Sequence, residues 1–429
     1  MRRPVEQTVV TAEASPAGLR SALVALCVTE ITSWGALYYA FPVMVSTVSG
    51  DTGWSTSVLM GAFSTGAVTA ALAGIVVGRL IDARGPRAVM TTGSALGVLA
   101  ALAVAAAPNL PLFYAAWVLA GLAQSALLYP PAFAALTGWY GPRRIRALTT
   151  LTLVAGFAST VFAPLVATLL DHMSWRAVYV VLACVVGVVT LPLHAFCLKA
   201  PWPGRAERAA RAAGGTGDPP DDVVPSSDEH ARAVLRSRAF VVLTAAMAVA
   251  AFGMYAATVN LVPLLTDRGL GTHLAAIGLG LCGAGQVLGR LFYVPIASRT
   301  SPRVRTFVVL AVAAVTVVVL GMLPGPAPVL LTIAVLAGAA RGVYTLLQAT
   351  AVSDRWGTRA FGRINGVFAA PITAIIALAP GGGALAADLS GGYPAGYTVL
   401  AGLTVAGALA SLAAVAPVRS RRAARTPRP

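Results

Sequence analysis

Charge is what this 429-residue chain has least of: 11% of its residues are Asp, Glu, Lys or Arg, where an ordinary soluble domain carries about a quarter. With 57% hydrophobic residues and a mean hydropathy of +0.79, that scarcity excludes a soluble globule of this size. There are 15 acidic residues and a single lysine, Lys199, so arginine alone sets the formal charge of +16. In a soluble protein such a charge points to nucleic acid. Here the arginines sit in short segments between long apolar runs and make no phosphate-reading patch. Cys27, Cys184, Cys197 and Cys282 lie inside apolar stretches without metal-ligand spacing, which excludes a disulfide framework and a zinc site. The chain also lacks a glycine-rich phosphate loop followed by Lys and Ser or Thr, a membrane-embedded His/Glu metal motif and a Ser/His/Asp arrangement. An ATP-driven pump is therefore not expected, and neither is an enzyme, a cofactor or a metal.

Long apolar runs are what is present. A window of about 20 residues, enough to cross ~30 Å of hydrocarbon, places spans near 21–48, 54–80, 88–107, 111–138, 147–170 and 175–197, then near 239–266, 273–297, 304–324, 327–352, 361–386 and 393–417. The fold class expected is an all-α membrane protein of twelve transmembrane helices in two six-helix halves, residues 21–197 and 239–417. A tail of residues 1–20, a central linker of residues 198–238 and a basic tail of residues 418–429 complete the chain. The first run is too long for a signal segment and has no clear cleavage site, so it reads as a retained helix. Placing both termini in the cytoplasm puts 27 of the 31 basic residues on that side; Arg176 and Arg268 fall outside, and Arg290 and Arg341 fall within spans. Basic residues are retained on the cytoplasmic side, so the expected location is the cytoplasmic membrane, with the arginine- and alanine-rich composition reading as bacterial. The linker mixes Pro201, Pro203, Pro219 and Pro220 with basic Arg205, Arg208 and Arg211 and acidic Asp218, Asp221 and Asp222. It reads as a solvated segment, a short interfacial helix on anionic lipid being the alternative.

The halves repeat each other. At an offset of about 217, Leu119-Ala120-Gly121 falls on Leu336-Ala337-Gly338, Trp139 on Trp356 and Asp171 on Asp388. Allowing one residue either way adds Ala163-Pro164 on Ala379-Pro380 and Tyr179–Ala183 on Tyr397–Ala401. A parallel six-helix repeat places a ligand path between the halves near mid-membrane and lets them rock about it.

The segment after the second span, Gly78-Arg79-Leu80-Ile81-Asp82-Ala83-Arg84-Gly85-Pro86-Arg87, resembles the loop motif of the major facilitator superfamily: Gly, three residues, Asp, then basic residues around a Gly. Ala83 stands where a basic residue is usual, and the second-half copy around Pro295 to Arg303 has Arg299 in place of the Asp. Gly289-Arg290 in helix eight, and Phe361-Gly362-Arg363-Ile364-Asn365-Gly366 opening helix eleven, resemble the branch that holds monocarboxylate transporters and oxalate/formate exchangers. The resemblance implies alternating access between pseudo-symmetric halves and a cavity lined by helices one, four, seven and ten. It also implies a cytoplasmic gate containing Gly78, Asp82, Arg84, Gly85 and Arg87.

A charged group inside a bilayer is costly and needs a partner or an aqueous cavity. Glu30 in helix one and Arg341 in helix ten each lie roughly 15 Å deep at ~1.5 Å per residue, and Arg290 precedes Arg299 by nine residues in helix eight. Glu30 falls opposite Met247 in the repeat and Arg341 opposite Gln124, so these charges break the internal symmetry as a specific site does. Arg341, Tyr344, Thr345 and Gln348 share one helical face, and Glu30, Ser33, Trp34 and Tyr38 another. Tyr255 and Thr258 make a shorter face on helix seven, Gln286, Arg290 and Tyr293 a smaller one on helix eight, and Gln124, Tyr129 and Asn260 lie on broader sides. The candidate substrate-binding residues are Arg290, Arg341, Tyr344, Gln348, Gln124, Tyr38, Trp34, Tyr255 and Asn260, with Glu30 for proton coupling. Two arginines and one glutamate leave a net charge of +1, which a monoanion neutralises, and the planar guanidinium fork suits a carboxylate. Resemblance to the organic-anion branch would pair Arg290 with that carboxylate. The structural alternatives are a buried Glu30–Arg341 pair and a gate anchor at Arg290. His194 reads as interfacial, with a proton relay as the alternative, and Gly381-Gly382-Gly383 after Pro380 points to a break in helix eleven.

The function expected is secondary active transport of a small organic carboxylate, proton-coupled or by exchange. Its partners are the solute, protons and the lipid bilayer, without nucleic acid, and a monomer is compatible with the task. Proton-coupled efflux of drug-like molecules is one alternative, although Ala163 rather than Gly precedes Pro164 and no glycine pair follows it. A membrane sensor on the same fold is another. A protease site placed in the central linker is expected to be cut only from the cytoplasmic side; cleavage of intact cells from outside would invert the topology.

Overall fold

The computed structural model describes residues 16–202 and 227–414. Most of the linker, residues 203–226, and nearly all of both tails, residues 1–15 and 415–429, lie outside the described residues. The described chain is helical apart from short connections, with no strand in it. In hydrocarbon no water is at hand for backbone N–H and C=O groups, and a helix pairs them within itself.

Helix one is Pro16–Thr52, two Thr56–Arg84, three Pro86–Ala106, six Trp175–Cys197, seven Arg238–Val259, nine Pro302–Met322, ten Ala327–Trp356, eleven Phe361–Ser390 and twelve Tyr393–Ser411. Helix eight is bent, with Ile277–Leu291 and Tyr293–Arg299 meeting at 42°. Among the described residues, ten helices are long and apolar enough to span, or eleven with the bent pair. That number counts Leu110–Leu170 once, although its 61 residues would reach about 90 Å at 1.5 Å per residue, three times a bilayer core. It is interrupted at Gly141–Arg143 by a 3-10 turn in which Gly141 has φ 49°. Division there gives helix four, Leu110–Leu127 with Tyr129–Tyr140, and helix five, Arg144–Ala155 with Ala158–Leu170. Starts are set locally: Ser55, Asn109, Ser174, Ser237 and Ser301 each accept a hydrogen bond from the N–H three residues on, capping helices two, four, six, seven and nine.

The linker region ends in a ten-residue helix, Ser227–Arg236, which buries Ala231 and Val234. Its first turn carries Asp228 and Glu229, where negative charge complements the helix dipole, and the Asp228 carboxylate accepts from Arg363 Nη1 at 2.9 Å. The break expected in helix eleven is not present: the helix runs unbroken through Pro371 and Pro380 to Ser390. The glycines there serve close approach instead, since a Cβ on Gly382 or Gly383 would overlap Phe252 or Asn260 of the neighbouring segment.

Apolar packing divides unequally. One buried cluster joins the halves, combining Ile81, Met90 and Leu148 with Phe240, Tyr293 and Phe361. A second, including Phe41, Phe113 and Trp175, belongs to the first half alone, and a third, including Leu261, Leu320 and Tyr397, to the second half alone. The shared cluster lies at the end that carries the arginine-rich loops. The halves are therefore knitted together at that end and keep separate cores toward the other.

Helices eight and ten pack backbone to backbone. A Cβ on Gly285, Gly289, Gly338 or Gly342 would overlap the carbonyl of Val335, Ala339, Cys282 or Gln286 respectively. Lipid gives apolar helices little reason to associate, so small residues that allow close approach hold such a pair. Gly289 and Gly342 flank Arg290 and Arg341 in sequence, so both arginines ride on one rigid unit. Gly338→Val is expected to destabilise the protein by about 1–3 kcal/mol through overpacking, read as a lowered midpoint of thermal unfolding in detergent. Gly280→Ala, where a Cβ meets nothing within 4 Å, serves as the control.

Candidate functional site

At the arginine-rich end the halves are latched by polar contacts. Helix eleven starts after Ala360, a non-glycine residue at φ 50°, and its first N–H groups have no partner within the helix. Asp82 of helix two supplies one from the other half: Oδ1 accepts from Gly362 N at 2.8 Å and Oδ2 from Arg363 N at 2.6 Å. A carboxylate at a helix N-terminus is doubly favoured, by the free donors and by the dipole. Gly78, one turn earlier, allows this approach, because a Cβ there would overlap the Gly362 carbonyl. A second latch is centred on Asp354 of helix ten. Oδ1 accepts from Arg144 Nη2 of helix five at 2.5 Å, and Oδ2 accepts from Arg305 Nη2 of helix nine. Ser353 Oγ takes Arg144 Nε at 3.0 Å.

The expected gate set is thus narrowed. Arg84 is exposed, Gly85 makes the turn into helix three at φ 82°, and Arg87 donates to Ala195 O at 2.7 Å within its own half. Arg144 and Asp354 were missed as gate residues, yet a signal existed: outside the central segment, Asp82 and Asp354 are the two acidic residues in the loops of the basic end.

The substrate-binding candidates separate into two groups. Arg290 is 3% exposed and donates from Nη1 to Thr152 O of helix five, so in this state it reaches across to the other half as a latch. Gln124 Nε2 donates to Leu37 O at 2.9 Å. Leu37 lies in a π-helical turn, Gly35–Tyr39, where Ala40 N–H reaches back to Gly35 O. Such a bulge disturbs the regular hydrogen-bond ladder, and the glutamine amide satisfies a carbonyl in it. Tyr344 is fully buried and donates to Met247 O at 3.0 Å. Asn260 Nδ2 donates to Ala256 O at 2.9 Å and Pro380 O at 3.4 Å. For these four, the polar atoms tie helices together. His194, read as interfacial, is buried with Nδ1 2.8 Å from Ser94 Oγ.

The second group retains partial exposure at mid-span: Trp34, Tyr38, Tyr255, Arg341 and Gln348. The Arg341 guanidinium lies over the Tyr255 ring, 4.3 Å from its centroid, and Tyr255 packs against the buried cluster that joins the halves. Arg341 therefore faces the seam between halves and not lipid. Its Nε, like that of Arg290, has no hydrogen-bond partner among the described residues. Glu30 is fully buried and neither carboxylate oxygen is hydrogen-bonded among the described residues; the Trp34 indole one turn on approaches it without closing a bond of good geometry. The weighed Glu30–Arg341 pair is not formed. A buried carboxyl without a donor is a group that can take up and give up a proton as its surroundings change.

The family model described as Major Facilitator Superfamily matches residues 26–370. Monocarboxylate transporter 11 of Homo sapiens is 29% identical over 220 residues, 50% of this chain and 43% of the relative. Monocarboxylate transporter 13 of Bos taurus is 28% identical over 207 residues, 48% of this chain and 45% of the relative. The matched region thus spans less than half the length of either relative. Among solved structures, the human organic anion transporter MFSD10 superposes with a TM-score of 0.67 at 16% identity, covering 92% of this chain and 99% of that one. The transporter FucP in its outward conformation gives 0.63 at 16% identity, covering 93% and 99%; at such identity these matches speak for the fold alone.

Asp354→Asn is expected to release the latch, since removing one partner strands two buried guanidinium groups. Spin labels at exposed Arg146→Cys and Arg303→Cys report the separation of the halves at the basic end. The ratio of closed to open molecules is expected to fall at least tenfold, equivalent to about 1.4 kcal/mol. Asp51→Asn, whose carboxylate binds Trp175 Nε1 at 2.8 Å and Arg176 Nη1 at 2.7 Å within the first half, leaves that ratio unchanged.

Proposed function

The chain belongs to the Major Facilitator Superfamily and is a multi-pass membrane transporter, and from that premise we propose that it moves a small organic anion, a carboxylate, by alternating access coupled to protons. The observation that carries this reading is Arg341: a guanidinium at mid-span, between the halves, stacked on Tyr255 and with a donor unspent. A buried cation of this kind takes an anion to complete its pairing, and a planar fork matches the two oxygens of a carboxylate. Gln348, one face further along helix ten, and Trp34 and Tyr38 opposite complete the binding surface. The names of the monocarboxylate transporters support the same solute class.

Glu30 supplies the proton step. With a proton on Glu30 the site presents the single positive charge of Arg341, and one monoanion neutralises it. With Glu30 ionised the site is already neutral overall, and anion binding is weaker. Solute and proton therefore travel together in a ratio of one to one. Arg290, Gly78, Asp82, Arg144 and Asp354 hold the basic end shut while the site is reached from the opposite end. With the basic end and both termini in the cytoplasm, as the arginine distribution favours, the latched state faces outward across the cytoplasmic membrane. Solute bound there is released inward when the latches part.

Arg341→Ala is expected to lower kcat/KM for carboxylate uptake into proteoliposomes by about 10–100-fold, the weight of a charge-assisted hydrogen bond. Glu30→Gln is expected to abolish accumulation driven by a pH gradient while retaining exchange of solute for solute. Wild-type affinity and rate in Arg341→Ala would remove the anion site, and retained gradient-driven accumulation in Glu30→Gln would remove Glu30 from coupling.

A further inference from the structure

We infer that the Arg341 site selects monocarboxylates whose body is an aromatic ring, in preference to short aliphatic acids. The inference rests on the anion-transport reading and adds to it the apolar part of the solute.

The surface that faces Arg341 is built from rings. Trp34 lies 5.0 Å from Tyr38 and 5.0 Å from Tyr129 between centroids, which joins helices one and four in one aromatic wall. Tyr129 is stacked at 5.0 Å and 8° on Phe133 behind it, and Tyr38 packs at 5.0 Å against Phe63 of helix two. Phe133 is buried, whereas Trp34, Tyr38 and Tyr129 keep partial exposure. The wall therefore has a packed back and an accessible front. That front borders the seam, because Tyr129, like the Tyr255 ring beneath Arg341, packs against the buried cluster that joins the halves.

This placement decides what body can accompany the carboxylate. Rings that show their faces and edges to a neighbour are satisfied by another ring, in offset or edge-on contact. A short aliphatic acid anchored at Arg341 leaves most of the wall unfilled. The cation at one side and the rings at the other fit a molecule with one anionic end and one aromatic end, such as benzoate or phenylacetate. The π-helical turn contributes by placing Tyr38 and Tyr39 next to each other with both rings partly exposed.

The test uses the full chain in proteoliposomes with labelled benzoate, phenylacetate and propionate, and with unlabelled benzamide as competitor. The expected result is a KM for benzoate or phenylacetate at least tenfold below that for propionate, with the uncharged benzamide competing at least tenfold more weakly than benzoate. Trp34→Leu keeps apolar volume without a ring and is expected to shrink the aryl-to-aliphatic ratio at least threefold, while Trp34→Phe preserves it. Should Trp34→Leu fail to insert, Tyr129→Leu reads the same ratio. Propionate transported as well as benzoate, with both lost in Arg341→Ala, would overturn the aromatic selectivity and leave the anion reading standing. Benzamide competing as well as benzoate, or transport of no carboxylate at all, would overturn the anion reading and this inference with it.

Discussion

A polar group carried into an apolar helix bundle has to find its partner within the protein, and this constraint sorts the side chains that matter here. Gln124, Asn260 and Tyr344 have found theirs on backbone carbonyls of neighbouring helices, and Arg290 has placed one donor there with its Nε left over. Among the described residues Glu30 has found none, and Arg341 has a ring beneath it but a donor to spare. Leaving such groups incompletely paired lowers stability, and that cost is the ground on which the site is proposed.

The same constraint shapes the moving parts. The halves share an apolar cluster and three polar latches at the arginine-rich end, and keep separate cores toward the other end. The latches differ in kind: a carboxylate on free helix amides at Asp82, a carboxylate between two guanidinium groups at Asp354, and a guanidinium on a carbonyl at Arg290. None is an apolar interlock, so each can be exchanged for water when the end opens. Helices eight and ten, locked by their glycines, carry Arg341 at the site and Arg290 at the latch on one body.

The apolar runs and the repeat were legible because they are written one-dimensionally. Hydropathy runs and arginine-rich loops mark where the chain crosses, and the register of Leu119-Ala120-Gly121 on Leu336-Ala337-Gly338 marks the duplication. Asp51 and Arg268 illustrate the limit. They occupy equivalent positions at the ends of helices one and seven, yet Asp51 takes Arg176 while Arg268 donates to the Gly321 carbonyl. The scaffold is repeated and its polar contacts are not.

Glu30, Arg290 and Arg341 were identifiable from sequence as anomalies of charge in apolar runs. Which of them remained free for a ligand was not, because helical periodicity gives a face and not a neighbour. Tyr344 shares the stripe of Arg341 and still turns to Met247, and the π-helical turn that sets Tyr38 beside Tyr39 leaves no signature in hydropathy. The sequence by itself determined a bundle of membrane helices in two related halves, since burial in hydrocarbon depends on the composition of each run alone. Only the tertiary structure decided which polar side chains reach across between the halves, which tie helices within one half and which stay incompletely paired, because that depends on the donors and acceptors that other helices bring within about 3 Å.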